Sequence, residues 1–190
     1  MIVGLAGLKN SGKDTVGAYL VKKHSFERRS FADKLKESAS ALFDIPVYEL
    51  EKMKNDPTCV IGVGRNTDAN KGYIYAFNEP QTVRLMLQRY GTEAHRSIFG
   101  PDFWVDQLFP VGGFYGGRAI VVTDCRFQNE LDRIKLLNGK TVFVERPALD
   151  LKDPHSSEGL RPEWCDYKLD NSGTVEDLFK RVEVMLDEFA

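Results

Sequence analysis

The chain has 190 residues, of which 26 are basic and 28 acidic, so its formal net charge is −2. A chain of this length can bury one α/β core with an insertion or lid. Because basic and acidic residues nearly balance, the chain has no overall positive charge that would attract nucleic acid or an anionic membrane. No apolar stretch approaches transmembrane length, and the N-terminus is typical of a strand rather than a signal peptide, so a cytosolic location is expected. The three cysteines lack metal-site spacing, which favours reduced thiols and argues against zinc.

The first glycine-rich segment, GLKNSGKDT, follows an apolar run at residues 2–6 and precedes residues with helical spacing. Gly7, Gly12 and Lys13 match the phosphate-binding loop G-x-x-x-x-G-K-[ST], but Asp14 occupies the last position and Thr15 follows one place later. In this strand–loop–helix context, the loop N–H groups and the helix dipole form an anion cradle. Lys13 would then reach the β- and γ-phosphates of a nucleotide. The alternative is a glycine-rich turn that only caps a helix.

The remaining predicted elements alternate between strands and helices. Strands are predicted at residues 26–32, 119–124, 140–146 and 166–171, and helices at 33–43, 46–53, 80–90, 102–109, 126–139 and 174–186. Asp33 is expected to cap the second helix, and Gly91 to stop the helix that precedes it. Residues 55–79 are predicted to be an insertion and residues 146–164 a lid. The alternation predicts one α/β domain over residues 1–190, with a doubly wound parallel sheet flanked by helices.

Two clusters of polar residues lie at the predicted carboxyl ends of strands, where such sheets bind ligands. Asp33 and Lys36 follow the second strand, and Asp124 and Arg126 follow the strand at 119–124. A cation is unfavourable at the positive end of a helix dipole, and a guanidinium matches two phosphate oxygens. Arg126 is therefore predicted to bind phosphate rather than to be an ordinary surface arginine. Lys36 could bind an acceptor phosphate or be a solvated helix lysine, and Asp33 is interpreted as a cap rather than a catalytic carboxylate.

Six segments follow one another along the chain as a series: GLKNSGKDT, SFADKLKE, VRLMLQRYGTEAHR, DFWVDQL, VVTDCRFQNE and YKLDNSGTVEDL. In this order, over nearly the whole chain, they resemble the bacteriophage deoxynucleoside monophosphate kinases, a branch of the P-loop nucleoside monophosphate kinases. The resemblance implies a P-loop kinase-type fold, ATP and Mg²⁺ as cofactors, and a deoxynucleoside monophosphate as acceptor. It also implies a cytoplasmic location, in the host if the protein is phage-encoded. Loops of these kinases commonly read Gly-Lys-x-Thr, so the position of Thr15 is normal for the family.

Phosphoryl transfer to a monophosphate needs no general base, because the acceptor oxygen is already anionic near neutral pH. Catalysis must come from alignment and positive charge, so Lys13 and Arg126 are the predicted catalytic residues. The predicted metal ligands are Thr15 and Asp124, since Mg²⁺ keeps several waters and needs few protein ligands. Asp14 could also face the metal, directly or through water, but we interpret it mainly as a favourable charge in the first helical turn.

The predicted nucleotide-binding residues divide between donor and acceptor. Those for the donor are Lys9, Asn10, Ser11, Gly12, Lys13, Asp14, Thr15 and Arg146, and those for the acceptor are Lys36, Arg65, Arg84, Gln88, Thr92 and Arg126. Arg146 precedes the lid segment, where either it or Arg161 could clamp the donor. Arg84 and Gln88 are four residues apart on one helical face, so Arg84 could meet a phosphate and Gln88 a base edge. Arg65, in the insertion, could close over the acceptor.

Three other functions stay open from the sequence. The main rival is a P-loop kinase of another small phosphorylated acceptor, of the coenzyme A precursor or phosphomevalonate type. A non-catalytic ATP-binding regulator would need the loop without acceptor-side cations, and a nucleic-acid-binding ATPase is disfavoured by the neutral charge balance. The expected partners are ATP and a deoxynucleoside monophosphate, without nucleic acid or membrane, and a homodimer is left open.

Overall fold

The computed structural model describes residues 1–61, 81–113, 115, 117–147 and 160–189. Along the chain the elements are β1 (Ile2–Ala6), α1 (Lys13–His24), β2 (Glu27–Arg29), α2 (Phe31–Phe43), α3 (Val47–Asn55), β3 (Val60–Ile61), β4 (Gln81–Thr82), α4 (Val83–Arg89), a π-helix (Tyr90–Arg96), α5 (Ser97–Phe99), α6 (Phe103–Leu108), β5 (Ile120–Val122), α7 (Gln128–Leu136), β6 (Lys140–Glu145), a 3-10 helix (Pro162–Trp164), β7 (Tyr167–Asp170) and α8 (Val175–Phe189). They form two compact units, the first made of Met1–Phe31 and Val105–Ala190 and the second of Ala32–Trp104.

The first unit is built on a five-stranded parallel sheet with the strand order β2-β5-β1-β6-β7. Side chains alternate between the two faces of a strand. In β1, Val3 and Leu5 therefore join a core with α1 and α8, whereas Ile2 and Ala6 join a core with α7. Helices cover both faces, so the predicted fold class, a doubly wound parallel sheet, is confirmed.

The topology of the sheet singles out the end of β1. The chain leaves β1 for β2, which lies on the β5 side, whereas β6 and β7 lie on the other side. The carboxyl end of β1 is thus the point where the strand order reverses, and a crevice opens there in open α/β sheets. The glycine-rich segment begins at this point.

Two helices of the sheet's carboxyl edge begin at residues other than those predicted. Helix α2 begins at Phe31, so Asp33 lies in its first turn and not at the residue before it. The N–H of Phe31 instead donates to Asp124 Oδ1 at 2.9 Å, a distant residue that the local sequence does not reveal. Helix α7 begins at Gln128, so Arg126 precedes the helix instead of opening it.

The second unit is mainly helical, with an antiparallel pair formed by β3 and β4. Its core is made of Ala39, Ile45, Leu50, Val83, Met86 and Leu87. The prediction that Gly91 stops a helix is wrong, because α4 continues directly into the π-helix. Gly91 is buried there, its carbonyl accepts the indole N–H of Trp104 at 2.9 Å, and a Cβ at this position would collide with Leu35. The glycine lets Leu35 pack closely against the helix and does not mark a helix end.

The predicted insertion and lid lie largely outside the described residues, at 62–80 and 148–159. The described flank of the insertion is the pairing of β3 with β4, and the described end of the lid segment includes the buried Leu160. The insertion, the lid and the single-domain organisation stay predictions. In the described ranges, every helix is too short or too polar to cross a bilayer.

Candidate active site

The segment after β1 forms a tight loop that only glycine permits at two positions. Gly7 and Gly12 have φ angles of 135° and 108°, in the region that L side chains rarely adopt. A Cβ on Gly7 would also collide with the carbonyl oxygen of Val144, and one on Gly12 would lie 2.5 Å from Nδ2 of Asn171. Both glycines are therefore required by their backbone conformation, and Gly7 also by the close approach of the β6 backbone.

The loop leaves several polar groups available for a ligand. Among the described residues, the backbone N–H groups of Gly12, Asp14 and Thr15 have no hydrogen-bond acceptor, and no side chain caps α1. The hydroxyl of Ser11 is fully buried and has no hydrogen-bond partner in the part of the chain that the structure describes. Unpaired N–H groups at a helix N-terminus attract anions, because the helix dipole adds partial positive charge. The loop has the chemistry of a phosphate cradle, as the spacing of the sequence predicts.

Lys13, the first residue of α1, folds back over this loop. Its Nζ donates to the carbonyl oxygens of Gly7 at 2.8 Å and Leu8 at 2.6 Å. These two hydrogen bonds hold the ammonium beside the unpaired N–H groups of the loop. These contacts place a positive charge at the loop, which is where the predicted catalytic role of Lys13 requires it.

A cavity of about 300 Å³ adjoins the loop, and the described residues lining it are Asn10, Gly12, Lys13, Asp14, Thr15, Arg146, Asn171, Gly173, Val175 and Leu178. Arg146 is one of the two arginines that the sequence proposed for the donor. The other, Arg161, lies with its guanidinium 5.9 Å from the ring centre of Trp164. The geometry brings Arg146 together with the loop, and Lys9 and Ser11 are loop residues outside this lining.

Asp124, at the carboxyl end of β5, is anchored by two hydrogen bonds. Its Oδ2 accepts from the Ser30 hydroxyl at 2.7 Å, and its Oδ1 accepts from the Phe31 N–H at 2.9 Å. The next N–H, of Cys125, donates to the carbonyl of Leu5, which keeps this segment beside the end of β1. No cluster of three acidic, histidine or cysteine ligands occurs in the described ranges, and the metal role of Asp124 and Thr15 stays a prediction.

Arg126 is exposed two residues beyond Asp124, and its guanidinium has no partner among the described residues. Its backbone is held, because Oε2 of Glu130 accepts from the N–H groups of Arg126 at 2.7 Å and Phe127 at 3.1 Å. Glu130 is 2% exposed, so its carboxylate accepts these two hydrogen bonds from a buried position. The guanidinium is thus available for a ligand, and the backbone that carries it is held in place. Arg126 is not among the residues that line the cavity.

Lys36, in the second unit, is engaged by carboxylates. Its Nζ donates to Glu51 at 2.6 Å and to Asp33 at 3.2 Å, and its side chain is only 12% exposed. Burial alone would lower the pKa of Lys36, but the hydrogen bonds and charges of Glu51 and Asp33 outweigh it and raise that pKa. Burial likewise opposes the charge of Glu51, and Lys36 with Lys54 lowers its pKa. The ammonium is firmly charged and already paired.

The other predicted acceptor residues lie on an exposed helical surface. Arg84 and Gln88 are both exposed on α4, and Thr92 is exposed in the π-helix that follows. The single described hydrogen bond of the Arg84 guanidinium is a long one of 3.5 Å to Asn55 Oδ1. A π-helix inside a helical run is rare and frequently lies at a functional site. Arg65 falls outside the described residues, and all of these binding roles stay predictions.

Nucleophilic catalysis by cysteine does not fit this centre. Burial raises the pKa of the Cys125 thiol well above its ordinary value, although Cys125 directly follows Asp124. Burial also raises the pKa of Cys165 to about 11. Both thiols are protonated near neutral pH, and the thiolate is the reactive form. The described groups around the loop are suited to binding and aligning anions.

Sequence reasoning missed two residues, Glu130 and Asn171. Glu130 is the third residue of α7, a position at which glutamate often accepts from N–H groups before the helix, and this local signal could have identified it. Asn171 follows β7, and its Nδ2 donates to the Ser11 carbonyl at 2.8 Å. No local pattern indicates that contact, because the two residues are 160 positions apart.

Comparisons with known proteins agree with this geometry. Residues 44–182 match the profile of a family described as "Deoxynucleotide monophosphate kinase". A putative deoxynucleotide monophosphate kinase of Acanthamoeba polyphaga mimivirus is 31% identical over 206 residues, covering 98% of this chain and 96% of the relative. The deoxynucleotide monophosphate kinase of Enterobacteria phage T4 is 23% identical and covers 96% and 97%. A shikimate kinase from Aquifex aeolicus, 13% identical over 98% and 96% of the two chains with a TM-score of 0.52, shares the fold.

Proposed function

Because this chain belongs to the deoxynucleotide monophosphate kinase family, we propose that it transfers the γ-phosphoryl group of ATP to a deoxynucleoside monophosphate, yielding ADP and the deoxynucleoside diphosphate. Phosphotransfer from ATP is the activity of the family, and the acceptor follows the names of the relatives. The observation that carries the proposal is the loop after β1, whose residues with unpaired N–H groups line a cavity together with Lys13 and Arg146. The protein would act in the cytoplasm on free nucleotides.

The cavity supports an assignment of the two ends of ATP. Gly12, Asp14 and Thr15 would donate backbone N–H groups to the phosphates, and Arg146 would add a planar cation for bidentate contact. Val175 and Leu178 are the apolar residues of the lining, so the nucleoside would lie against them. A volume of about 300 Å³ is at the lower end of the range for small-molecule sites.

Mg²⁺ is proposed to accompany ATP, with Thr15 and Asp124 holding it directly or through water. The donor set fits a hard cation, because Thr15 lines the cavity and both residues offer oxygen ligands. When bound, Mg²⁺ would neutralise charge on the phosphates. Asp14, exposed in the first turn of α1, is assigned to the favourable charge of that helix start.

The chemistry proposed for the residues is electrostatic. The acceptor phosphate attacks as an anion, so no residue has to remove a proton. Lys13 would stabilise the phosphates of the donor, and Arg126 would bridge oxygens whose charge grows in the transition state. Interactions that strengthen in the transition state raise turnover, whereas uniform binding lowers only the Michaelis constant.

The acceptor is proposed to engage the second unit through Arg84, Gln88 and Thr92, with Arg65 as a further cation. Lys36 would contribute less, because its ammonium already pairs with Glu51 and Asp33. Exposure of Arg84 and Gln88 on one face of α4 supports this assignment. Arg84→Ala and Gln88→Ala should each raise the acceptor KM about tenfold, the usual effect of one charge-assisted or base-edge hydrogen bond. Arg89→Ala is the matched control, since Arg89 is exposed on the same helix and pairs with Glu93 at 3.1 Å. An equal effect of Arg89→Ala would reject the assignment.

The test of the function is a coupled ADP-release assay against a panel of acceptors. The panel contains the four common deoxynucleoside monophosphates, the matching ribonucleotides, a coenzyme A precursor and phosphomevalonate. We expect the highest kcat/KM with a deoxynucleoside monophosphate. A higher kcat/KM with a non-nucleotide acceptor would move the protein to another kinase class. ATP binding without turnover on any acceptor would support the alternative of a non-catalytic ATP-binding regulator.

A further inference from the structure

Asn171 connects the end of the sheet to the phosphate loop. Its backbone N–H donates to the Glu145 carbonyl at 2.7 Å, so the residue is held against the end of β6. From this anchored position its side-chain Nδ2 donates to the Ser11 carbonyl at 2.8 Å. The contact reaches the peptide group that joins Ser11 to Gly12, in the middle of the cradle.

The orientation of that peptide group decides what the loop offers to an anion. All described peptides are trans, and in a trans peptide the C=O and the N–H point in opposite directions. With the Ser11 carbonyl held by Asn171, the Gly12 N–H points away from Asn171, and it has no acceptor among the described residues. The opposite orientation would present a carbonyl oxygen, which repels phosphate, in place of a donor.

The loop itself does not prevent such a flip. Rotation of this peptide changes ψ of Ser11 and φ of Gly12, and glycine adopts positive and negative φ about equally well. The contact from Asn171 to the Ser11 carbonyl therefore favours one orientation of this peptide. Gly12 also makes room for that contact, because a Cβ there would lie 2.5 Å from Asn171 Nδ2.

We propose that Asn171 is a positioning residue that holds the Ser11–Gly12 peptide with its N–H toward the donor phosphates. The inference rests on the proposed donor site in the loop. Asn171 acts through Gly12, so its loss should weaken the binding of phosphates themselves. Because Asn171 also lines the cavity, a direct contact with the nucleoside is the competing role.

The test compares Asn171→Ala and Asn171→Ser, neither of which can reach Ser11, with the wild type. The probes are ADP and inorganic tripolyphosphate, which lacks a nucleoside, and the readouts are dissociation constants from calorimetry. The backbone bond from Asn171 to Glu145 survives both substitutions, so both variants should fold. Ser172→Ala is the matched control, since its hydroxyl bonds Asp170 at 2.8 Å within the same turn.

We expect both ligands to bind the Asn171 variants about 10- to 100-fold more weakly, the effect of one hydrogen bond to a charged group. The Ser172→Ala variant should bind within about twofold of the wild type. In ¹⁵N-labelled wild type, ADP should shift the Gly12 amide proton strongly downfield, and this shift should be lost in Asn171→Ala. A change in thermal stability alone would not alter that resonance.

Each other outcome has a distinct meaning. Unchanged affinity for tripolyphosphate would overturn the inference, whether or not ADP binding weakens, and a loss for ADP alone would assign Asn171 to the nucleoside. A Gly12 shift that persists in Asn171→Ala would also overturn it. If the wild type itself binds neither probe, the proposed donor site is wrong, which is a separate failure from that of Asn171.

Discussion

Lys13 and Lys36 make an informative comparison, since both were predicted to bind phosphate at the carboxyl edge of the sheet. Lys13 donates to the backbone carbonyls of Gly7 and Leu8, whereas Lys36 donates to the carboxylates of Glu51 and Asp33. A carbonyl holds an ammonium without cancelling its charge, but a carboxylate cancels it. The difference teaches that a lysine whose ammonium already pairs with carboxylates, as in Lys36, is less available to a phosphate.

The largest effect is expected for Lys13→Ala. Loss of this ammonium should lower kcat about 10³-fold, because preorganised charge at the phosphates is removed. The backbone of the loop needs no lysine to form, so the melting temperature should stay close to that of the wild type. Steady-state kinetics with ATP, together with thermal unfolding, checks both parts. If Lys13→Ala keeps the turnover of the wild type, Lys13 has no catalytic role and does not differ from Lys36 in this respect.

A somewhat smaller loss is expected for Arg126→Ala, about 10²- to 10³-fold in kcat with little change in either KM. Its guanidinium has no partner among the described residues, so removal should cost little stability. Arg126→Lys keeps the charge without the planar fork and should recover only part of the activity. The assay is steady-state kinetics on variants whose folding is verified by circular dichroism. A change confined to the acceptor KM would make Arg126 a binding residue, and no change would make it a surface arginine.

Lys36→Met should act mainly on stability. Removing this mostly buried ammonium leaves Glu51 with less compensation, so we expect a loss of about 1–2 kcal/mol in the free energy of unfolding. Lys34→Met is the matched control on the same helix, because Lys34 is 48% exposed and pairs with Glu37, which is 55% exposed. It should cost less than about 0.5 kcal/mol. Urea unfolding measures both.

The variant Lys36→Met also tests whether Lys36 binds the acceptor. We expect the acceptor KM to rise less in Lys36→Met than in Arg84→Ala, since two carboxylates already occupy the Lys36 ammonium. A larger KM increase in Lys36→Met, without loss of stability, would show that the lysine binds acceptor phosphate as the sequence predicts.

The smallest effect is a pH dependence of stability. The pKa of Lys36 is raised above 10.5 and that of Glu51 is lowered below 4.5. The Glu51 contribution is present above its unfolded pKa and lost as pH falls through the folded value, and the Lys36 contribution is present below its unfolded pKa and lost as pH rises through the folded value. The stability difference between wild type and Lys36→Met should be constant between about pH 6 and pH 9 and shrink below about pH 4. A difference that does not change with pH would contradict the ion pair.

Much of the fold could be predicted because its signals are local. Alternating apolar strands and helices indicate a parallel sheet, and the structure has one. Thr174 and Asp177 indicated the start of the last helix, and they exchange hydrogen bonds there. The starts of α2 and α7 were misplaced because side chains fix the N–H groups there. Asp124, which follows β5, accepts from the first N–H of α2, and Glu130 of α7 accepts from the two N–H groups that precede its own helix.

The sequence by itself determined the glycine-rich loop after β1, since Gly7, Gly12 and Lys13 lie within a few residues of one another. Only the tertiary structure decided which distant groups surround those residues. It placed Arg146 at the cavity and Asn171 on the Ser11 carbonyl, and it joined Lys36 to Glu51. The physical reason is that backbone conformation is governed by neighbours along the chain, whereas the partner of a side chain is set by which strand ends and helices meet in space.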